Sequence, residues 1–147
     1  MRNAVRILVL AALASALPGM ASADGERRRY CSESMVRGTY GIQLQGTSVA
    51  PNGQQQQVIG VVVRFYDGHG NLTQWGNIKE SVTGYTPNRY GTGNYRVNDD
   101  CTMDVFLQPV PGVLLQERVV IMDDGNELRT ISVLPETTMV TAVHRRI

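Results

Sequence analysis

Few residues in this chain of 147 are of types that carry chemistry, and their spacing restricts what that chemistry is. The two histidines, His69 and His144, lie far apart and form no His-x-x-x-His pair, while the two cysteines, Cys31 and Cys101, form no C-x-x-C. Zinc ligation therefore lacks its usual donor spacing, and no metal or cofactor is expected. No G-x-S-x-G is present to place a nucleophile on a sharp turn. Gly68 and Gly70 flank a reversal between two strand-like runs rather than opening a helix, so they make no phosphate cradle.

What remains is charge within strand patterns. In Val113 to Met122, period-two alternation puts Val113, Leu115, Glu117, Val119 and Ile121 on one face and Leu114, Gln116, Arg118, Val120 and Met122 on the other. If the first face is interior, Glu117 is a buried carboxylate that needs a partner, and Arg64 or Arg129 can supply one. A pair of that kind pointing into a cavity would serve as acid, base or anchor for a polar ligand group. The more ordinary position for Glu117 is a rim or outer face, solvated, and Arg64 reads equally as an outward charge that discourages edge pairing. Tyr40, Tyr66, Trp75, Tyr95 and Phe106 fall on five different strands. They either line an interior pocket as ligand-binding walls or fill the core. His69 is expected exposed at a turn tip, and His144, beside Arg145-Arg146, at the surface.

The elements that must position these residues are strands. Tyr40, Ile42 and Leu44 alternate with Gln43 and Gln45, and Val58 to Tyr66 is rich in β-branched and aromatic residues. Asp67-Gly-His-Gly-Asn71 and Asp123-Asp-Gly-Asn126 are hairpin reversals. Further strands are read at Leu72 to Val82, Arg89 to Asn98, Cys101 to Gln108, Val113 to Met122, Glu127 to Leu134 and Thr137 to Arg146, with Ser48 to Gln57 as a polar loop. Eight strands with short connections and no sustained helical period specify an all-β domain over residues 37–147. An eight-stranded antiparallel up-and-down barrel removes exposed edges most economically, and a β-sandwich is the alternative. Which residues of Val58–Phe65 face inward stays open, because both faces are apolar.

Arg2 and Arg6, the apolar run Ile7 to Leu17 and the small-x-small site Ala21-Ser22-Ala23 read as a secretory signal peptide over residues 1–23. The apolar run has 11 residues where a membrane span needs about 20, so no membrane anchor is expected after cleavage, and the location is secreted or periplasmic. In that compartment Cys31 and Cys101 have the parity for one disulfide, tying an N-terminal arm, residues 24–36, to the middle of the chain. With 14 Lys and Arg against 13 Asp and Glu, the net charge of +1 offers no basic surplus for nucleic acid.

Gly38-Thr39-Tyr40, Asp67 to Leu72, Gly93 to Thr102 and Val140 to Arg146, taken in order, resemble a group of small secreted bacterial proteins, mostly without assigned function. The eight-strand layout is similar, in architecture alone, to calycin-like barrels, which include lipocalins and allene oxide cyclase-like barrels. The lipocalin G-x-W near the N-terminus is missing, since the one Trp is Trp75. The resemblance implies a cup for one small hydrophobic or amphipathic molecule. Two further readings stand beside ligand binding. One is a cyclase or isomerase that holds a reactive substrate in shape, with Glu117, Arg64 and Arg129 as candidate catalytic groups. The other is a packed barrel that binds a protein partner in the envelope through Gln54–Gln57 and Arg27–Arg29.

Overall fold

The computed structural model describes residues 30–110 and 112–147. Eight strands follow one another: β1 (Gly38–Val49), β2 (Gln55–Tyr66), β3 (Asn71–Glu80), β4 (Gly84–Val97), β5 (Thr102–Val110), β6 (Val113–Met122), β7 (Glu127–Leu134) and β8 (Met139–Arg146). Each pairs antiparallel with the next, and β8 returns to β1, which closes an up-and-down barrel. The barrel forms, and the sandwich does not. The expected signal peptide of residues 1–23 and the first part of the arm lie outside the described residues.

Turn chemistry explains the tight connections. Between β2 and β3, Asp67 Oδ1 accepts from the backbone N–H groups of His69 and Asn71, and Oδ2 accepts from the Asn71 side chain at 2.7 Å. Asn71, through its side chain and backbone N–H, holds the Asp67 carboxyl down at about 2. Gly68 and Gly70 sit at φ +82° and +94°, a region that favours glycine.

Several boundaries differ from the sequence reading, and two of them shape the interior. Gln55–Gln57 is strand rather than loop: Gln56 points inward, where its Oε1 accepts from Thr83 and its Nε2 donates to Ser48, so a polar residue is satisfied at a buried position. Strand β4 begins at Gly84, five residues before Arg89, because the β3–β4 hairpin is tighter than its Pro and Asn content suggests. Closure also requires close strand contact at inward-facing glycines. A Cβ on Gly93 would lie 2.2 Å from the Phe106 carbonyl oxygen.

One end of the barrel is filled. Tyr40, Tyr66 and Tyr95 pack edge to face, with centroids 5.5 and 5.0 Å apart, above buried Met103, Val105, Val119 and Leu128. A 3-10 turn at Glu33–Val36, not anticipated from the sequence, covers this end and inserts Val36. The Cys31–Cys101 disulfide is formed and ties this cover to the start of β5. Arg146 Nη2 donates to the Met35 carbonyl at 2.6 Å and to Tyr40 Oη at 2.8 Å, and Tyr40 in turn donates to Gly125 O. The remaining space lies toward the opposite end.

Candidate functional site

Alternation along β2 sends Val58, Gly60, Val62, Arg64 and Tyr66 into the barrel and Ile59, Val61 and Phe65 outward. That settles the facing of Val58–Phe65. It also makes Arg64 an interior cation, with only 4% of its surface exposed. On β6 the face with Val119 and Ile121 is the inner one, so Glu117 is interior as well, 8% exposed.

The two side chains meet as a fork. Arg64 Nη1 donates to Glu117 Oε2 at 2.7 Å and Nη2 to Oε1 at 3.1 Å. Nε donates to Gln74 Oε1 at 2.9 Å, and Nη1 also reaches Tyr66 Oη at 3.1 Å. Burial works against the guanidinium charge, but Glu117 and Tyr66 outweigh it, so its pKa lies above the ordinary range. Burial pushes the Tyr66 hydroxyl up to about 12. The solvated alternatives for Glu117 and Arg64 are thus not realised, and Arg64 is the partner chosen. Arg129 is not: it lies on the outer wall, where it pairs with Glu127 at 2.7 Å.

His144 is a correction. It is buried, at 1% exposure, because period two on β8 turns it inward with Val140 and Ala142 while Arg145 faces water. The neighbouring arginines suggested a surface residue, yet adjacent residues of a strand point to opposite sides. Its Nε2 lies 3.0 Å from Thr130 Oγ1, and its Nδ1 has no partner among the described residues. Burial first, and the Arg64 charge second, hold its pKa well below 6.5, so the ring is neutral.

Above this polar layer lies a cavity of about 180 Å³. Ile42, Leu44, Val58, Val62, Ile78, Leu115, Val140 and Ala142 form an aliphatic wall, and Arg64, Glu117, Gln74, Thr130 and His144 give it a polar floor. Ser48, Glu80, Pro109, Val113, Pro135 and Thr138, at or beside strand ends away from the tyrosines, line its outer part, and Arg89 lines it from β4, on the Gly84 side of Tyr95.

The aromatic residues do not line this cavity. Tyr40, Tyr66 and Tyr95 fill the closed end, while Trp75 and Phe106 point outward, 46% and 40% exposed. The expected aromatic pocket is therefore an aliphatic one, because Trp75 alternates with inward Gln74 and Gly76, and Phe106 with inward Val105 and Leu107. His69 is exposed at its turn, as read from the sequence. Gln74, Thr130, Arg89 and His144 were not singled out as site residues. For each, the strand parity carried the signal, since each shares parity with buried apolar neighbours.

Among the described residues no cluster of His, Cys, Asp and Glu is arranged to hold a metal ion, and no helix is long and apolar enough to cross a membrane. No family model matches the chain, and no curated protein does. Solved structures do share its architecture. A redesigned β-barrel, mFAP1, bound to DFHBI, superposes with a TM-score of 0.50 at 16% identity, covering 78% of this chain and 98% of its own. The S-type phycobiliprotein lyase CPES from Guillardia theta matches with a TM-score of 0.45 at 6% identity, over 78% of this chain and 90% of its own. At these identities the likeness to mFAP1 is one of fold. The chain is a closed eight-stranded β-barrel.

Proposed function

We propose that this protein is an exported binding protein that holds one small hydrophobic or amphipathic molecule inside its barrel. The observation that carries this reading is the cavity, which has an aliphatic wall, a polar floor and an outer part at the strand ends opposite the tyrosine-filled end. Its volume of about 180 Å³ is below the range of about 300–1,000 Å³ that suits drug-sized ligands. An apolar cavity of about 150 Å³ is enough to take up benzene. The occupant is accordingly a molecule near that size. The mFAP1 barrel, solved with DFHBI, is an instance of this architecture holding a small molecule.

The polar floor favours binding over turnover. A cyclase or isomerase that used Glu117 as its acid or base would need that carboxylate free, whereas both its oxygens are engaged by Arg64. As a protein-contact surface the glutamine segment is weakened too, since Gln56 is buried and engaged with Ser48 and Thr83. Export rests on the signal-like sequence of residues 1–23 and accords with the disulfide.

Native mass spectrometry of the protein recovered after export tests both parts. The chain is expected to begin at Asp24 and to carry a small co-purifying molecule. Ala142→Phe, which fills the cavity, is expected to lose that molecule while remaining folded. Equal retention by the filled variant would place the molecule outside the barrel and overturn the reading.

A further inference from the structure

The two ends of the cavity differ in charge balance. At the floor, the Arg64 guanidinium is matched by both Glu117 oxygens, and His144 is uncharged. At the outer part stands Arg89 of β4, whose side chain makes no hydrogen bond or ion pair with any described residue. Its Nε is buried without a partner. Two buried side-chain polar atoms among the described residues lack a partner, Arg89 Nε and His144 Nδ1, and both belong to residues lining this one cavity. Such atoms are rare in folded proteins because each has given up its hydrogen bond to water, and at Arg89 Nε an acceptor group on a bound molecule would restore it, whereas His144 Nδ1 belongs to the floor. Glu80, the carboxylate on the same outer part, accepts from the Thr83 hydroxyl at 2.6 Å and forms no ion pair with Arg89.

A free guanidinium is a planar fork of donors whose geometry matches a carboxylate. A charged group lowered to the floor would disturb a pair already in balance and would be desolvated there. A hydrocarbon group meets Ile42, Val62, Val140 and Ala142 in the same space and removes apolar surface from water. The favourable orientation is charge outward and hydrocarbon inward. We infer that the interior site takes a compact organic monocarboxylate, with the carboxylate on Arg89 and the hydrocarbon body against the aliphatic wall. This inference rests on the interior-binding reading above and adds the chemical class of the ligand.

Benzoate and benzyl alcohol share a ring of suitable size and differ in the charged group, so together they isolate the role of Arg89. Amide and methyl NMR titrations of the disulfide-bonded protein would compare them in the wild type, Arg89→Gln and Arg89→Lys. The wild type is expected to bind benzoate about tenfold more tightly than benzyl alcohol, as a charge-assisted hydrogen-bonded pair provides. Arg89→Gln is expected to bind the two alike, and Arg89→Lys, which keeps a cation but loses the fork, to retain part of the preference. Should Arg89→Gln fail to fold, the Lys variant carries the comparison. If the wild type binds benzyl alcohol as tightly as benzoate, or if the preference survives in Arg89→Gln, the carboxylate assignment falls and interior binding stands. If neither probe shifts Ile42, Val62 or Ala142, this inference and the interior-binding reading fall together.

Discussion

Arg64 of β2 and Glu117 of β6 come from opposite sides of the barrel wall and meet inside it as a two-bond fork, 2.7 and 3.1 Å long. Neither charge reaches solvent to any extent, so each depends on the other for its solvation. The pair is thus a brace across the barrel and the polar floor of the cavity at once.

Removing one partner should be far worse than removing both. Glu117→Leu leaves a buried guanidinium with no counter-charge and is expected to cost roughly 3–5 kcal/mol. Arg64→Met combined with Glu117→Leu leaves no charge behind, and similar-volume replacement of a buried pair is often neutral or stabilising. Urea unfolding of the two variants checks this ordering. A double variant less stable than the Glu117→Leu single would overturn that ordering and show that Arg64 stabilises the fold through Gln74 and Tyr66 without Glu117.

His144 gives the stability a pH dependence. Its pKa lies well below 6.5 in the folded barrel and returns to about 6.5 on unfolding. Between those two values the unfolded chain binds a proton that the folded chain does not, so stability rises with pH. The contribution is fully present above pH 6.5. It declines as pH falls from 6.5 toward the folded pKa, by up to about 1.4 kcal/mol per pH unit. Urea midpoints at pH 7.5, 6.5 and 5.5 are expected to fall at the acid end, and His144→Gln is expected to flatten that part of the profile. An unchanged slope in the variant would assign the effect to other groups.

Strand parity made much of this interior legible and left one part hidden. The eight strands and both principal hairpins follow from alternation and turn residues; alternation groups Glu117 with Val119 and Ile121 but does not say that this face is the inner one, and a lone carboxylate reads more ordinarily as solvated. The choice of Arg64 over Arg129 was not readable, since it depends on which strands stand across the barrel from each other. Composition misled where it was set against parity: Arg145-Arg146 drew His144 to the surface, and four glutamines drew Gln56 into a loop. The aromatic residues misled differently. Spread over five strands they suggested a pocket, but three pack together at the closed end and two face outward.

Gly93 offers a test of closure itself. It lies on the inner side of β4 opposite Leu107, and a Cβ there would stand 2.2 Å from the Phe106 carbonyl oxygen, which is backbone and cannot swing aside. Gly93→Ala is expected to destabilise the barrel by about 1–3 kcal/mol, the usual cost of overpacking. Thr92→Ala, an exposed neighbour on the same strand, is expected to change stability by less than about 0.5 kcal/mol. Thermal unfolding of the two variants separates backbone crowding from a general sensitivity of β4.

The disulfide carries the last prediction. Cys31 and Cys101 are separated by 70 residues, and they fasten the segment that covers the filled end of the barrel. In the loop-entropy treatment a bridge of that span stabilises the fold by about 4 kcal/mol, by restricting the unfolded chain. Cys31→Ala with Cys101→Ala is therefore expected to lower stability by about that amount. The loss is expected to reach beyond chain entropy, because Val36 and the Arg146–Met35 hydrogen bond belong to the same cover. Released from Cys101, the cover should open locally before the barrel unfolds, and amide exchange at Val36 should then run faster than exchange at Val105 or Val119. If Val36 stays as protected as the inner strands in the disulfide-free variant, the cover is held by packing and by Arg146, and the bridge acts on the unfolded chain alone.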